Sequence, residues 1–99
     1  MGNKKSKPDL MDVSIELRLN AKQMEKQANK IEAQERAERK KILDAMNKNQ
    51  VENAKIFAET VIRQRKEAIN VRRFGVKMQA LSQKIESAHR TQQMSKTMK

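Results

Sequence analysis

Asp44-Ala45-Met46-Asn47-Lys48-Asn49-Gln50-Val51-Glu52-Asn53-Ala54 is the stretch that decides the fold, because it interrupts an otherwise continuous helical pattern. Asparagine accepts left-handed and capping conformations, so Asn47-Lys48-Asn49-Gln50 can end one helix and begin another. Asn49 and Glu52 have the spacing of a capping box, with Asn in place of Ser or Thr. A connection this short favours antiparallel neighbours.

Upstream, Leu10, Val13, Leu17, Ala21, Met24, Ala28, Ile31, Ile42, Ala45 and Met46 fall on one stripe at about 100° per residue. The stripe turns polar only at Glu35 and Glu38. Asp9, just after the one proline, has the place of an N-cap, so the first helix is expected over 10–46. Downstream, Val51, Ala54, Ala58, Val61, Ile62, Ile69 and Val76 share a face with Arg65 and Arg72, within a second helix expected over 50–98.

Ile56, Phe74, Met78, Leu81 and Ile85 gather on the far side of that second helix. On this reading its first half closes against helix one. Its second half seeks a different partner, and those five residues are candidate subunit contacts. Gly75 lies near the changeover; one helical glycine costs about 1 kcal/mol and need not break the helix. Glu35 and Glu38 are expected to approach Arg65 across the hairpin and to bear on register rather than stability. The fold class is therefore all-α: a long, extended antiparallel two-helix hairpin with an apolar face left for a neighbour, preceded by a flexible basic tail at 1–9; that it forms polymers is what the resemblance given below implies.

Composition agrees with this reading. The 99 residues contain 36% apolar and 2% aromatic side chains, enough for a narrow seam between helices but not for a broad core. Good helix formers dominate. The net charge of +11 is unevenly placed: residues 10–46 carry eight basic and seven acidic groups, residues 47–99 twelve and four. Such a surplus implies a polyanionic partner, either an anionic lipid surface or nucleic acid. There is no cysteine, and no apolar run approaches the ~20 residues that a membrane-spanning helix needs.

Three surfaces follow. Met1-Gly2-Asn3-Lys4-Lys5-Ser6 fits the pattern for acylation of Gly2 after removal of Met1, although so short a pattern also arises by chance. One acyl chain binds membranes only marginally, and Lys4, Lys5 and Lys7 would supply the second signal. Met11, Ile15 and Leu19 point away from the seam, toward either shallow lipid insertion or a neighbouring subunit. Lys55, Arg63, Lys66, Arg73, Lys77 and Lys84 recur at spacings that bring most of them to one side of helix two, about a quarter turn from the expected seam. That stripe is either an ordinary solvated face or a membrane-binding one. The rival partner is nucleic acid, for which no stacking platform or zinc-ligand pattern is visible.

No nucleophile–base pair, phosphate loop or metal-ligand cluster is present, so no enzyme, cofactor or metal is expected. His89, the one histidine, reads as a surface residue.

From Ala21 to Met98 the sequence resembles the charged multivesicular body proteins of the ESCRT-III superfamily, type 1 branch. Glu35-Arg36-Ala37-Glu38-Arg39-Lys40-Lys41 is similar to that branch's EKAEK-x-K stretch. The run Asp44 to Ile56 is similar to its hairpin turn, and Ala58-Glu59-Thr60-Val61-Ile62-Arg63 to AENAIR. Asn70 and Arg72 partly match N-x-L-R, and Ser95-Lys96-Thr97-Met98 resembles the KSM ending. Asn49 replaces the turn glycine, Gln79-Ala80-Leu81 replaces Asp-Ala-Val, and the leading residues are more like an acylated branch.

The resemblance implies a cytoplasmic subunit, peripheral on endosomal membranes. It would bind anionic lipid and polymerise with like or other ESCRT-III subunits in membrane remodelling and multivesicular body sorting. On this expectation residues 10–98 are the core hairpin without the later regulatory helices, and recruitment of the disassembling AAA ATPase is not assigned to them. A nucleic-acid-binding hairpin and a structural coiled-coil adaptor are the alternatives.

Overall fold

The computed structural model describes residues 9–98, which form two helices, α1 (Leu10–Asn47) and α2 (Val51–Met98), as an antiparallel hairpin. Asp9 caps α1: its carboxylate Oδ1 accepts the Asp12 N–H at 2.9 Å and its carbonyl the Val13 N–H at 3.3 Å.

The turn satisfies the carbonyls that end α1. The Gln50 N–H reaches back to the Ala45 carbonyl at 2.7 Å, and the Asn49 N–H to Met46 at 3.0 Å. This is the Schellman pattern, and it requires a left-handed residue one place before its end. Asn49 is that residue, with φ 60°. The expected capping box does not form in that role. Gln50 stands at the N-cap of α2, its carbonyl taking the Ala54 N–H at 3.0 Å, because Asn49 is already committed to closing α1. Asn49→Ala is expected to cost about 1–2 kcal/mol, measured as a fall in the urea midpoint, whereas Asn49→Gly should leave stability equal or higher.

The hairpin divides into two units, one of residues 9–23 with 74–98 and one of residues 24–73. In the first, Ser14 and Ser82 are buried, at 0% and 1% exposure. The Ser14 hydroxyl donates to the Ser82 carbonyl at 3.1 Å, the Ser82 hydroxyl to the Ser14 carbonyl at 2.9 Å, and the two oxygens lie 2.8 Å apart. A serine oxygen can reach the opposite backbone only where two helices nearly touch. Stepping seven residues along each helix places Ala21 level with Gly75, both buried, so the close approach continues. Leu17 and Met78 are half-buried between these layers, Ile85 is half-buried just beyond Ser82, and Arg18 pairs with Glu86 at the edge of the seam.

In the second unit the buried residues are Ala28, Ile31, Glu35 and Ala45 of α1 with Ala54 and Ala68 of α2. Met24, Ile42, Phe57, Ala58, Val61, Gln64 and Val71 are half-buried beside them. Spacings of three and four residues link these positions along each helix, the seven-residue repeat of a coiled coil.

That repeat corrects the reading of α2. Ile62, Ile69 and Val76, expected in the seam, are 56%, 49% and 63% exposed, and Val51 is exposed as well. The residues that face α1 are Ala54, Val61, Ala68, Gly75 and Ser82, one residue before each of the expected isoleucines and valine where the series overlap. A 3.6-residue period drifts ~20° per heptad against a 3.5-residue seam. Over the length of α2 that drift imitates a change of partner. No such change occurs: Gly75 and Ser82 in the second half of α2 pack on α1. On α1 the expected stripe matches the buried positions closely, except that Met46 is exposed.

Candidate functional site

The surface of interest is the side of α2 turned away from α1. With Ala54, Val61, Ala68, Gly75 and Ser82 inward, positions one, two and five residues after each of them point outward. Arg63, Lys66, Arg73, Lys77 and Lys84 are therefore about half a turn from the seam, not the quarter turn expected, because the seam itself lies elsewhere on the helix; Lys55 alone stays about a quarter turn away, on the line of Ile62 and Ile69.

In the unit of residues 24–73 this outward side presents Lys55, Arg63, Lys66 and Arg73, all exposed, against the exposed Glu59. Lys55 has a neighbour in Glu52 at 3.5 Å, an exposed pair that takes up little of its charge. Ile62 and Ile69 run along one flank and Ile56 lies among the bases. In the unit of residues 9–23 with 74–98, Lys77 and Lys84 are exposed on the outward side, with Val76 on one flank and Phe74 and Leu81 on the other. In each unit a cationic ridge is thus bordered by large apolar side chains that the seam leaves uncovered.

The five candidate subunit contacts are split by the structure. Ile56, Phe74 and Leu81 are exposed. Met78 and Ile85 are half-buried, on the same line of α2 as Gln64 and Val71, and so belong in part to the seam within the chain. Ile15 and Leu19 are exposed and Met11 half-buried. His89, expected at the surface, is half-buried, seven residues beyond Ser82 on its inward line. Gly2, Lys4, Lys5 and Lys7 lie outside the described residues.

The polar set at the edge of the seam is more extensive than the sequence suggested. Glu35 is 8% exposed and is held by Arg39 at 2.7 Å and by the Arg65 Nε at 3.7 Å. Glu38 pairs instead with Lys41 of its own helix, at 3.3 Å. Lys41 also stands 5.8 Å from the centre of the Phe57 ring, within cation–π range. Arg72 reaches Glu32 at 2.9 Å and the Asn29 oxygen at 3.0 Å, contacts that the expected face of α2 does not reveal. The missed signal was the seven-residue spacing of Arg65 and Arg72, one place behind Gln64 and Val71.

Among the described residues no group of three or more His, Cys, Asp or Glu is placed to hold a metal ion. No helix is long and apolar enough to cross a membrane.

Comparison with known proteins gives a consistent set of relatives. The chain is 30% identical over 89 residues to ESCRT-related protein CHMP1B of Arabidopsis thaliana, covering 90% of this chain and 44% of that protein. It is 30% identical over 87 residues to charged multivesicular body protein 1a of Danio rerio, covering 88% and 44%. Against charged multivesicular body protein 1b of Homo sapiens it is 36% identical over 66 residues, covering 67% and 33%. The chain thus spans less than half the length of these relatives. No protein-family model matches it, and no solved structure does.

Proposed function

Because the chain belongs to the type 1 branch of the charged multivesicular body proteins, within the ESCRT-III superfamily, we propose that it binds anionic membranes through the outer side of α2 and polymerises for endosomal membrane remodelling. The observation that carries this reading is the surplus of exposed bases on that side. Lys55, Arg63, Lys66, Arg73, Lys77 and Lys84 face away from α1, against two exposed acids on that side, Glu59 and the Glu52 that pairs with Lys55.

A seam partner cannot use those groups, whereas a lipid surface rewards each basic side chain near it by about 1 kcal/mol. The flanking apolar residues suit the same surface. Ile62, Ile69 and Val76 are exposed beside the cationic ridge, where shallow burial among headgroups removes apolar area from water. Phe74 and Leu81 of α2 and Ile15 and Leu19 of α1 are exposed for contact with other subunits, of the same or another ESCRT-III type, whereas Ile56 lies within the ridge itself. The Gly2 acyl chain, with Lys4, Lys5 and Lys7, would add a second anchor.

Liposome co-sedimentation tests the reading. Binding should rise with the fraction of acidic lipid and fall as salt shortens the screening length from about 10 Å at 0.1 M toward about 3 Å at 1 M. Equal binding to neutral vesicles, or tighter binding to nucleic acid than to any vesicle at physiological salt, would overturn it. Electron microscopy of the bound vesicles should show protein filaments or coated tubules; bare, evenly decorated vesicles would remove the polymerisation part.

A further inference from the structure

We propose that the two arginine–glutamate rungs in the unit of residues 24–73, Arg65 with Glu35 and Arg72 with Glu32, form an alignment code that admits only one register of α1 on α2. The seam itself does not choose a register. Its inward positions repeat every seven residues, and sliding one helix by a heptad, about 10 Å, again sets small or aliphatic residues against one another. Within one chain the Asn49 turn prevents such a slide. Between two copies of the chain no turn intervenes, and only side chains can reject a shifted pairing.

The rungs discriminate in both directions. They occupy one line of α2, which reads Ala58, Arg65, Arg72, Gln79 at seven-residue steps. A slide one way puts Ala58 where Arg65 stands and deprives the buried Glu35 of its partner on α2. A slide the other way puts Arg72 beside Glu35 but sets Gln79 against Glu32. Glu35 keeps Arg39 of its own helix at 2.7 Å in any register, but only the observed register gives both carboxylates an arginine of α2, at 3.7 Å and 2.9 Å.

A second observation shows that this layer is not arranged for strength. The Gln64 Oε1 beside Arg65 is buried with no hydrogen-bond partner, and Glu35 is nearly excluded from water in a seam that aliphatic residues would fill. Polar groups kept in a helical seam at a cost in stability are best attested as selectors of register and partner.

The test is sedimentation velocity of the whole chain in lipid-free buffer, so that its outcome is independent of the membrane reading. A variant carrying Glu32→Gln, Glu35→Leu, Arg65→Met and Arg72→Met should keep or raise its unfolding midpoint. It should also self-associate at a concentration at least tenfold lower than the parent, into more than one species. Reversing the outer rung in the parent (Glu32→Arg with Arg72→Glu) should preserve the parent's behaviour, because the pairing is retained. The proposal is overturned if the fourfold variant associates no more readily than the parent. It is overturned equally if that variant fails to fold, since the rungs would then serve stability rather than alignment.

Discussion

Lys66→Glu, Arg73→Glu and Lys77→Glu combined are expected to abolish binding to anionic liposomes while leaving the helices intact. All three side chains are exposed on the outward side of α2 and none takes part in an interhelical pair among the described residues. Loss of three basic groups near an anionic surface removes about 3 kcal/mol, roughly 150-fold in affinity at 1.4 kcal/mol per decade. Reversal adds repulsion and takes the net charge from +11 to +5, since three changes of two units each are subtracted. Glutamate is as good a helix former as lysine or arginine. Circular dichroism should therefore match the parent, and a loss of helicity would make the binding result uninterpretable as electrostatics. The matching glutamine variant separates attraction lost from repulsion gained: it should bind about 150-fold more weakly, with a shallower dependence on salt. Binding of the glutamate variant within threefold of the parent would place the lipid surface elsewhere on the molecule.

Ser82→Leu is the substitution expected to harm the hairpin most in the unit of residues 9–23 with 74–98. Ser14 and Ser82 meet where the helices come close enough for each hydroxyl to reach the other helix's carbonyl. A leucine there has no space to occupy, and overpacking of this kind costs about 1–3 kcal/mol. Ser82→Ala should cost less, near 1 kcal/mol, because the Ser14 hydroxyl still has the residue 82 carbonyl at 3.1 Å to donate to. Amide hydrogen exchange distinguishes the two. Leucine should speed exchange across residues 10–23 and 74–90 by roughly 5- to 150-fold, as 1–3 kcal/mol implies, and alanine by no more than about fivefold. Equal exchange in both variants would show that the helices are not held as closely there as the serine contacts require.

The basic side of α2 was legible in the sequence because lysine and arginine are rarely buried, so their positions on a helix name its wet side. Its flanks were not. Ile62, Ile69 and Val76 are the strongest apolar signal on α2, and a hydropathy reading assigns them to the interior. Alanine, glycine and serine carry little hydropathy, so Ala68, Gly75 and Ser82 gave a weak signal although their spacing of seven residues was there to be read.

From the sequence alone come two long helices, the break at Asn47–Gln50, the Asp9 cap and the inward side of α1, since each depends on local propensity or on a stripe of large apolar residues. The left-handed Asn49 was legible too, as one of the few non-glycine types that tolerates that conformation. Only the tertiary structure decided which side of α2 meets α1. Where two helices pack at close range, the seam goes to the smallest side chains and the larger ones are turned out. That preference arises from the space between two backbones, which no single helix contains.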